Sequence, residues 1–201
     1  MALMSEADAN KLGVILNSCS KESARALSKL ISKPVRSRLP GVMEAWVPSL
    51  EEATEDIADQ EVCAVYLSGE GDVRIGAMLS TPIGEAGELA ALLMGKKGKV
   101  GLSALAKSSI TEAGNIMMGS FLNGLRKATG LRVRASAASM GIDTLGTLLE
   151  LPVLDIASRT GTVLLARVRL RVPKTGPSAN LFIILDHQGA REILARINAD
   201  S

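Results

Sequence analysis

Aromatic side chains are nearly missing here: 201 residues hold one Trp, one Tyr and two Phe. A surface that stacks nucleic-acid bases needs several of them, so single-strand binding finds no platform. The 23 Lys and Arg against 21 Asp and Glu leave a net charge of only +2. No basic run is interleaved with aromatics, so no nucleic-acid partner is expected. Histidine occurs once, at His187, and cysteine twice, at Cys19 and Cys63. Neither cysteine has a Cys or His at ligand spacing, which argues against structural zinc and a Cys–His catalytic pair. Cys19 falls on the apolar side of an expected helix and Cys63 in an expected strand, where each reads as a small core hydrophobe. His187 follows Asp186 at a strand-to-helix junction, a place for capping or solvent contact. Long apolar runs are also lacking, so no segment spans a bilayer. No charged leader precedes an apolar stretch at the start, and secretion is not expected. A cytoplasmic protein is the expectation.

Leu, Val, Ile, Ala and Met are abundant, enough for a sizeable core at this length. Helical periodicity runs from about residue 7 to 32, with Leu12, Ile15, Leu16, Cys19, Leu27 and Ile31 on one side, until Pro34 stops it. An extended stretch from Val35 to Pro48 follows; Trp46 within it is expected at the core edge. The acidic run Glu51-Glu-Ala-Thr-Glu-Asp56 reads as a solvated turn. Val62–Leu67 and Val73–Leu79 alternate as strands about the turn Gly69-Glu-Gly-Asp72. The spaced glycines there punctuate a hairpin and do not open a phosphate-binding helix. Gly84–Met94 is a short helix, closed by Gly95-Lys-Lys-Gly-Lys99.

The second half repeats this order. A helix from about Leu102 to Ala128 ends at Gly130, a strand covers Leu131–Ala137, and a longer connection runs from Met140 to Leu149. Thr162–Val172 and Asn180–Asp186 form a second hairpin about Pro173-Lys-Thr-Gly-Pro177, and a helix covers Gln188–Asn198. Arg167, Arg169 and Arg171, at period two, read as the solvated face of a half-exposed strand. Two helix–strand–hairpin–helix units offset by about 98 residues predict an α/β fold with internal duplication and a pseudo-two-fold axis. The units would form one continuous, mostly antiparallel sheet flanked by helices. The expected organisation is a single domain over 1–201, made of repeats at about 7–95 and 100–201.

The stretch Ser108-Ser-Ile-Thr-Glu112-Ala-Gly-Asn115-Ile-Met-Met-Gly119 carries the chemistry. At about 100° per residue, Leu102, Leu105, Ala106, Ser109, Ala113, Ile116 and Met117 share one side of the helix. Ser108, Glu112, Asn115 and Gly119 line up within about 60° on the other. A carboxamide has no useful pKa near neutrality, so Asn115 cannot be a general base. It can hold a water in line with a reactive centre. The Glu112 carboxylate one turn away can pair with a partner's ammonium. Gly119 removes bulk where a second protein would approach.

Ser-x-x-x-Glu-x-x-Asn followed by Ile-Met-x-Gly resembles the active-site helix of the CheC/CheX/FliY family of chemotaxis response-regulator phosphatases. The likeness covers nearly the whole chain and implies a CheC-like fold. It also implies hydrolysis of the aspartyl phosphate of a CheY-type response regulator. Glu112 would dock on the regulator's active-site lysine and Asn115 would hold the attacking water. Ser108, Gly119 and Met118 would contact the partner. No cofactor is expected in this chain, and magnesium would sit in the regulator's acidic pocket. The alternative is a catalytically weak adaptor that binds the receptor deamidase CheD or flagellar switch components. CheC proteins carry two active helices, and here the first is degenerate: at the 98-residue offset Asn17 matches Asn115, but Val14 stands for Glu112. Shifting by eight residues gives Ser18-x-x-x-Glu22-x-x-Arg25, which loses the Asn and the match of Val35 with Val133. The first register is therefore preferred.

Overall fold

A computed structural model of the chain describes residues 4–46, 54, 57–157 and 162–199. Helix α1 (Glu6–Ile31) starts where the Ser5 hydroxyl accepts from the backbone N–H of Asp8 at 3.1 Å. It ends one residue before the expected boundary, with Ser32 in the left-handed region. The short strands β1 (Arg36–Arg38) and β2 (Val42–Trp46) follow. Strands β3 (Glu61–Gly71) and β4 (Ile75–Pro82) form the first hairpin, and α2 (Ile83–Leu93) leads away from it. The second half holds α3 (Ala104–Thr129), β5 (Val133–Ala135), β6 (Ser139–Thr144), α4 (Leu145–Ala157), β7 (Thr162–Arg171), β8 (Ser178–Leu185) and α5 (His187–Ala199).

All eight strands join one sheet, and every pair is antiparallel. The order β1-β7-β8-β4-β3-β5, with β2 also on β7 and β6 also on β3, reads the same from either end when the halves are exchanged. The pseudo-two-fold therefore passes between β4 and β8, where Met78 pairs with Phe182. Each half lends its two short strands to the other half's hairpin, an exchange that the linear order of elements did not disclose. Helices α1 and α3 repeat closely: each has 26 residues and starts after a serine N-cap, Ser5 or Ser103. They begin 98 residues apart. All eight buried positions of α1, from Leu12 to Ile31, fall on buried positions of α3. The register pairing Asn17 with Asn115 is the one the helices adopt.

One face of the sheet packs beneath α1, α2, α3 and α5 around Leu16, Val65, Ile75, Phe121, Ile183 and Ile193. The other face is covered by α4, whose Leu145, Leu149, Val153 and Ile156 meet Met78, Phe182 and Ile184. Four elements differ from expectation. The connection at Met140–Leu149 is instead β6 and the first turn of α4. The Thr144 hydroxyl serves as its cap, accepting from the Thr147 N–H at 3.4 Å, and Pro152 inside the helix masks its periodicity. The first hairpin extends through Gly69 and Gly71 because β5 pairs there. At φ 155°, a Cβ on Gly71 would lie 2.2 Å from the Arg132 carbonyl. The expected strand Leu131–Ala137 pairs only over Val133–Ala135. His187 is buried, with Nε2 3.0 Å from Thr162 Oγ1 and 3.2 Å from Glu44 Oε1. Capping falls to Asp186, whose Oδ1 accepts from the Gly189 N–H at 2.6 Å.

Arg167 is half-buried while Arg169 and Arg171 are exposed, and pairing puts Arg36 and Arg38 beside the outer two on the same face. Cys19 and Cys63 are both core residues; burial pushes the Cys19 thiol up to about 11 and raises Cys63 also. The side chain of Trp46 and most of the acidic run 51–56 lie outside the described residues.

Candidate functional site

Helix α3 opens where the Ser103 hydroxyl accepts from the Ala106 N–H at 3.3 Å, and closes on Gly130 in the left-handed region at φ 73°. Its buried arc runs through Ala106, Ile110, Ala113, Met117, Phe121 and Leu125. That arc is rotated from the one the apolar residues outline. Leu105 is 64% exposed, and Ser109 and Ile116 are only half-buried. Met118 turns inward at 1% exposure and belongs to the core, so it cannot meet a partner. The reason is packing: Met118 belongs to the core cluster that α3 shares with α1 and the sheet.

Ser108, Glu112 and Gly119 are exposed, and Asn115 is half-buried between them. At 1.5 Å per residue the ridge from Ser108 to Gly119 is about 16 Å long. The Asn115 side-chain amide donates to Glu112 Oε2 at 3.3 Å. The carboxylate thus holds the carboxamide while no partner is present. Any cation that takes the carboxylate frees the amide to bind something else.

Three glycines interrupt α3, and their surroundings separate them. A Cβ on Gly114 would lie 2.8 Å from Val65 Cγ1, and one on Gly124 would lie 3.3 Å from the Cα of Cys19. Both glycines allow the helix to approach the sheet or α1. Gly119 has nothing within 4 Å of its would-be Cβ. No contact among the described residues requires a glycine there, although glycine in a helix interior costs about 1 kcal/mol relative to alanine.

The equivalent ridge on α1 carries Asn10, Val14, Asn17 and Lys21 in place of Ser108, Glu112, Asn115 and Gly119. Asn17 is half-buried like Asn115. Val14 is 69% exposed, so a carboxylate at that position would stay solvated. Lys21 escaped the sequence reading, although the 98-residue offset alone would have found it. It puts a long cationic side chain where the second ridge is bare.

Among the described residues no group of three His, Cys, Asp or Glu side chains could hold a metal ion. The only histidine, His187, is buried at the first position of α5 against Thr162 and Glu44, and is not on the ridge. The ridge offers the Ser108 hydroxyl, the Asn115 carboxamide and the Glu112 carboxylate.

No family model matches the sequence, and no curated protein matches it. Solved structures do. FliY of Thermotoga maritima superposes with a TM-score of 0.77 over 99% of this chain and 100% of that one, at 16% identity. The FliM middle domain of H. pylori gives 0.67 over 96% and 99%, at 9% identity. CheX of Desulfovibrio desulfuricans gives 0.59 over 86% and 99%, at 10% identity. Identities this low speak for the fold. The chain shares its fold with FliY, the FliM middle domain, CheX and a CheC-like protein.

Proposed function

We propose that this chain is a phosphatase for the aspartyl phosphate of a CheY-type response regulator, working in the cytoplasm in chemotaxis signalling. The observation that carries the reading is the pairing of exposed Glu112 with half-buried Asn115 at 3.3 Å, on a ridge that ends in a glycine for which no contact among the described residues calls. An acyl phosphate is activated already, so holding water in line and offsetting charge is sufficient chemistry. In the proposed cycle Glu112 turns to the regulator's active-site lysine and releases the Asn115 amide. That amide then enters the regulator's pocket, accepts a hydrogen bond from water and directs its oxygen at phosphorus. Ser108 and Gly119 contact the regulator on either side. Magnesium is held by the regulator's own carboxylates, and this chain contributes no cofactor. Residues 1–201 act as one domain of two repeats, and only the second repeat turns over.

The test is the decay of regulator aspartyl phosphate with wild type and with Asn115→Ala. Asn115→Ala is expected to lose at least about a hundredfold in rate, as for one oriented hydrogen-bonding group, while binding stays within a few-fold. Full activity in Asn115→Ala removes this residue from the mechanism.

A second reading is supported by the neighbours themselves, which include FliM in complex with FliG and with SpeE. In that reading the chain is an adaptor for flagellar switch components or the deamidase CheD, and the ridge binds without turnover. Tight binding of phosphorylated regulator with no acceleration of its decay would select it.

A further inference from the structure

The first repeat has a degenerate ridge, yet its helix borders the second one. Helices α1 and α3 cross in antiparallel fashion. The Ser23 hydroxyl donates to the Met117 carbonyl at 2.8 Å, and Cys19 backs onto Gly124. As the number rises along α1 it falls along α3. On the outer side of this crossing the helices leave a groove of about 460 Å³. Ile116 and Ser120 form its α3 wall, directly after Asn115 and Gly119. Arg25 and Lys29 form the α1 wall, and Lys127 lies at the far end. The antiparallel run places Lys29 toward the turn of α3 that bears Asn115, and Lys127 toward the Asn17 end.

The charge in this groove is one-sided. Glu22 pairs with Arg25 across one helical turn and fixes that guanidinium on the wall. Lys29 and Lys127 are exposed, and three cations against one carboxylate leave about +2 within the groove. A partner whose phosphoryl group reaches Asn115 brings negative charge with it. The acyl phosphate is anionic, and a divalent cation beside it must be held by carboxylates. The surface surrounding that centre is acidic, and the groove is the cationic surface that meets it.

Resting on the phosphatase reading, we infer that the Arg25–Lys29 wall of α1 is the docking surface for the acidic rim of the regulator's phosphorylation site. The second repeat supplies Glu112 and Asn115, and the first repeat supplies the cation beside them. Val14 and Lys21 disable α1 as a catalytic ridge without touching this role, because they lie on other turns. Pseudo-symmetry makes Lys127 the equivalent of Lys29, but it faces the degenerate ridge.

The experiment is titration of a beryllofluoride-activated CheY-type receiver against wild type, Lys29→Gln, Lys29→Glu, Lys127→Glu, Glu112→Lys and Lys99→Glu. Lys99 serves as an equal charge change away from the crossing, and thermal melting of each variant checks the fold. Lys29→Gln should weaken binding about threefold and Lys29→Glu about tenfold at low salt, both effects shrinking at high salt. Lys127→Glu and Lys99→Glu should stay within about twofold, as expected of charges outside the contact. A Lys29→Glu variant that binds as Lys99→Glu does, while Glu112→Lys fails to bind, overturns this inference and leaves the phosphatase reading standing. Equal losses in Lys29→Glu and Lys127→Glu also overturn it, since general attraction then accounts for both. If wild type binds no receiver at all, both readings fall together. Lys29 also sits in the last turn of α1, where a cation favours the helix. Lost stability alone would lower the melting temperature without producing a salt-dependent change in affinity.

Discussion

Replacing Gly119 by alanine should stabilise the protein and impair its docking, and both effects can be sized beforehand. Among the described residues a Cβ at this position meets nothing within 4 Å, and the nearer helix end, Thr129, lies ten residues further on. No strain opposes the change, so the full helix-propensity difference of about 1 kcal/mol should appear as stability. For a chain of 201 residues that corresponds to a rise in melting temperature of about 2–4 °C. Gly114 and Gly124 provide the contrast on the same helix. Alanine at Gly114 must push back Val65, and at Gly124 it presses on the Cα of Cys19, so neither can gain as much. Both should melt below Gly119→Ala.

The function should move the other way. A methyl group on a surface that a partner approaches closely costs about 1 kcal/mol of overpacking, which is a several-fold rise in KM. Gly119→Arg should be far worse, since its side chain stands between Asn115 and the partner. The assays are calorimetric melting and decay of regulator aspartyl phosphate at several protein concentrations. Gly119→Arg turning over like wild type would refute the idea that anything docks on this ridge. Gly119→Ala melting lower than wild type would refute the open surface from which the size was worked.

Glu112→Ala should weaken both docking and rate, and Glu112→Lys should do so more, because it opposes the regulator's lysine; normal turnover of Glu112→Lys at low salt would exclude the ion pair. Asn17→Ala should be nearly silent, and one regulator should saturate each chain; a halved rate in Asn17→Ala would restore the first ridge to the mechanism. The combined Val14→Glu and Lys21→Gly change should raise the stoichiometry toward two in a beryllofluoride titration, since Val14 is exposed and a carboxylate there stays solvated. Cys19, with its thiol pushed up to about 11 by burial, should hold only about a thousandth of its population as thiolate at pH 8. Iodoacetamide should leave Cys19 and Cys63 untouched until the chain is unfolded. Because the folded Cys19 thiol titrates higher than the unfolded one, stability should be complete below about pH 9 and fall as the pH rises toward 11.

Four of the five described helices, α1, α2, α3 and α5, were legible in the sequence to within a residue or two because caps and periodicity agree. Ser5 and Ser103 open α1 and α3, and Gly130 closes the second. The hairpins were legible through alternation, except where β5 extends the pairing across Gly69 and Gly71. What could not be read was non-local. Strand exchange between halves leaves no local trace, since β1 meets β7 across more than a hundred residues. Helix α4 hid behind Pro152 and a leucine-rich stretch without alternation. On the ridge, Ser108, Glu112, Asn115 and Gly119 came out together because a 3.6-residue period needs no tertiary information. Met118 was misplaced because its burial depends on how much of α3 the sheet and α1 enclose. The groove at the helix crossing required both helices at once.

Duplication gives this molecule an internal control on which residues packing demands. The eight buried positions of α1 recur as buried positions of α3, including Leu12 with Ile110, Leu16 with Gly114 and Leu27 with Leu125. Those sites answer to the same sheet and the same crossing, so their burial is preserved while the side chains vary in size. The four ridge positions answer to no internal contact of that kind. Three of them are exposed in each helix, and an exposed Val14 stands where α3 has an exposed Glu112. Exposed Val14 costs the fold solubility and gains it no packing, and Gly119 costs helix stability without relieving a clash. Stability therefore explains neither residue. The asymmetry lies where a second molecule would be met, on one helix bearing a carboxylate, a carboxamide and open space. Its neighbour presents an apolar side chain, a carboxamide and a lysine. A fold that was symmetric in its core has been made one-sided at its surface, as expected where a single partner is handled at a time.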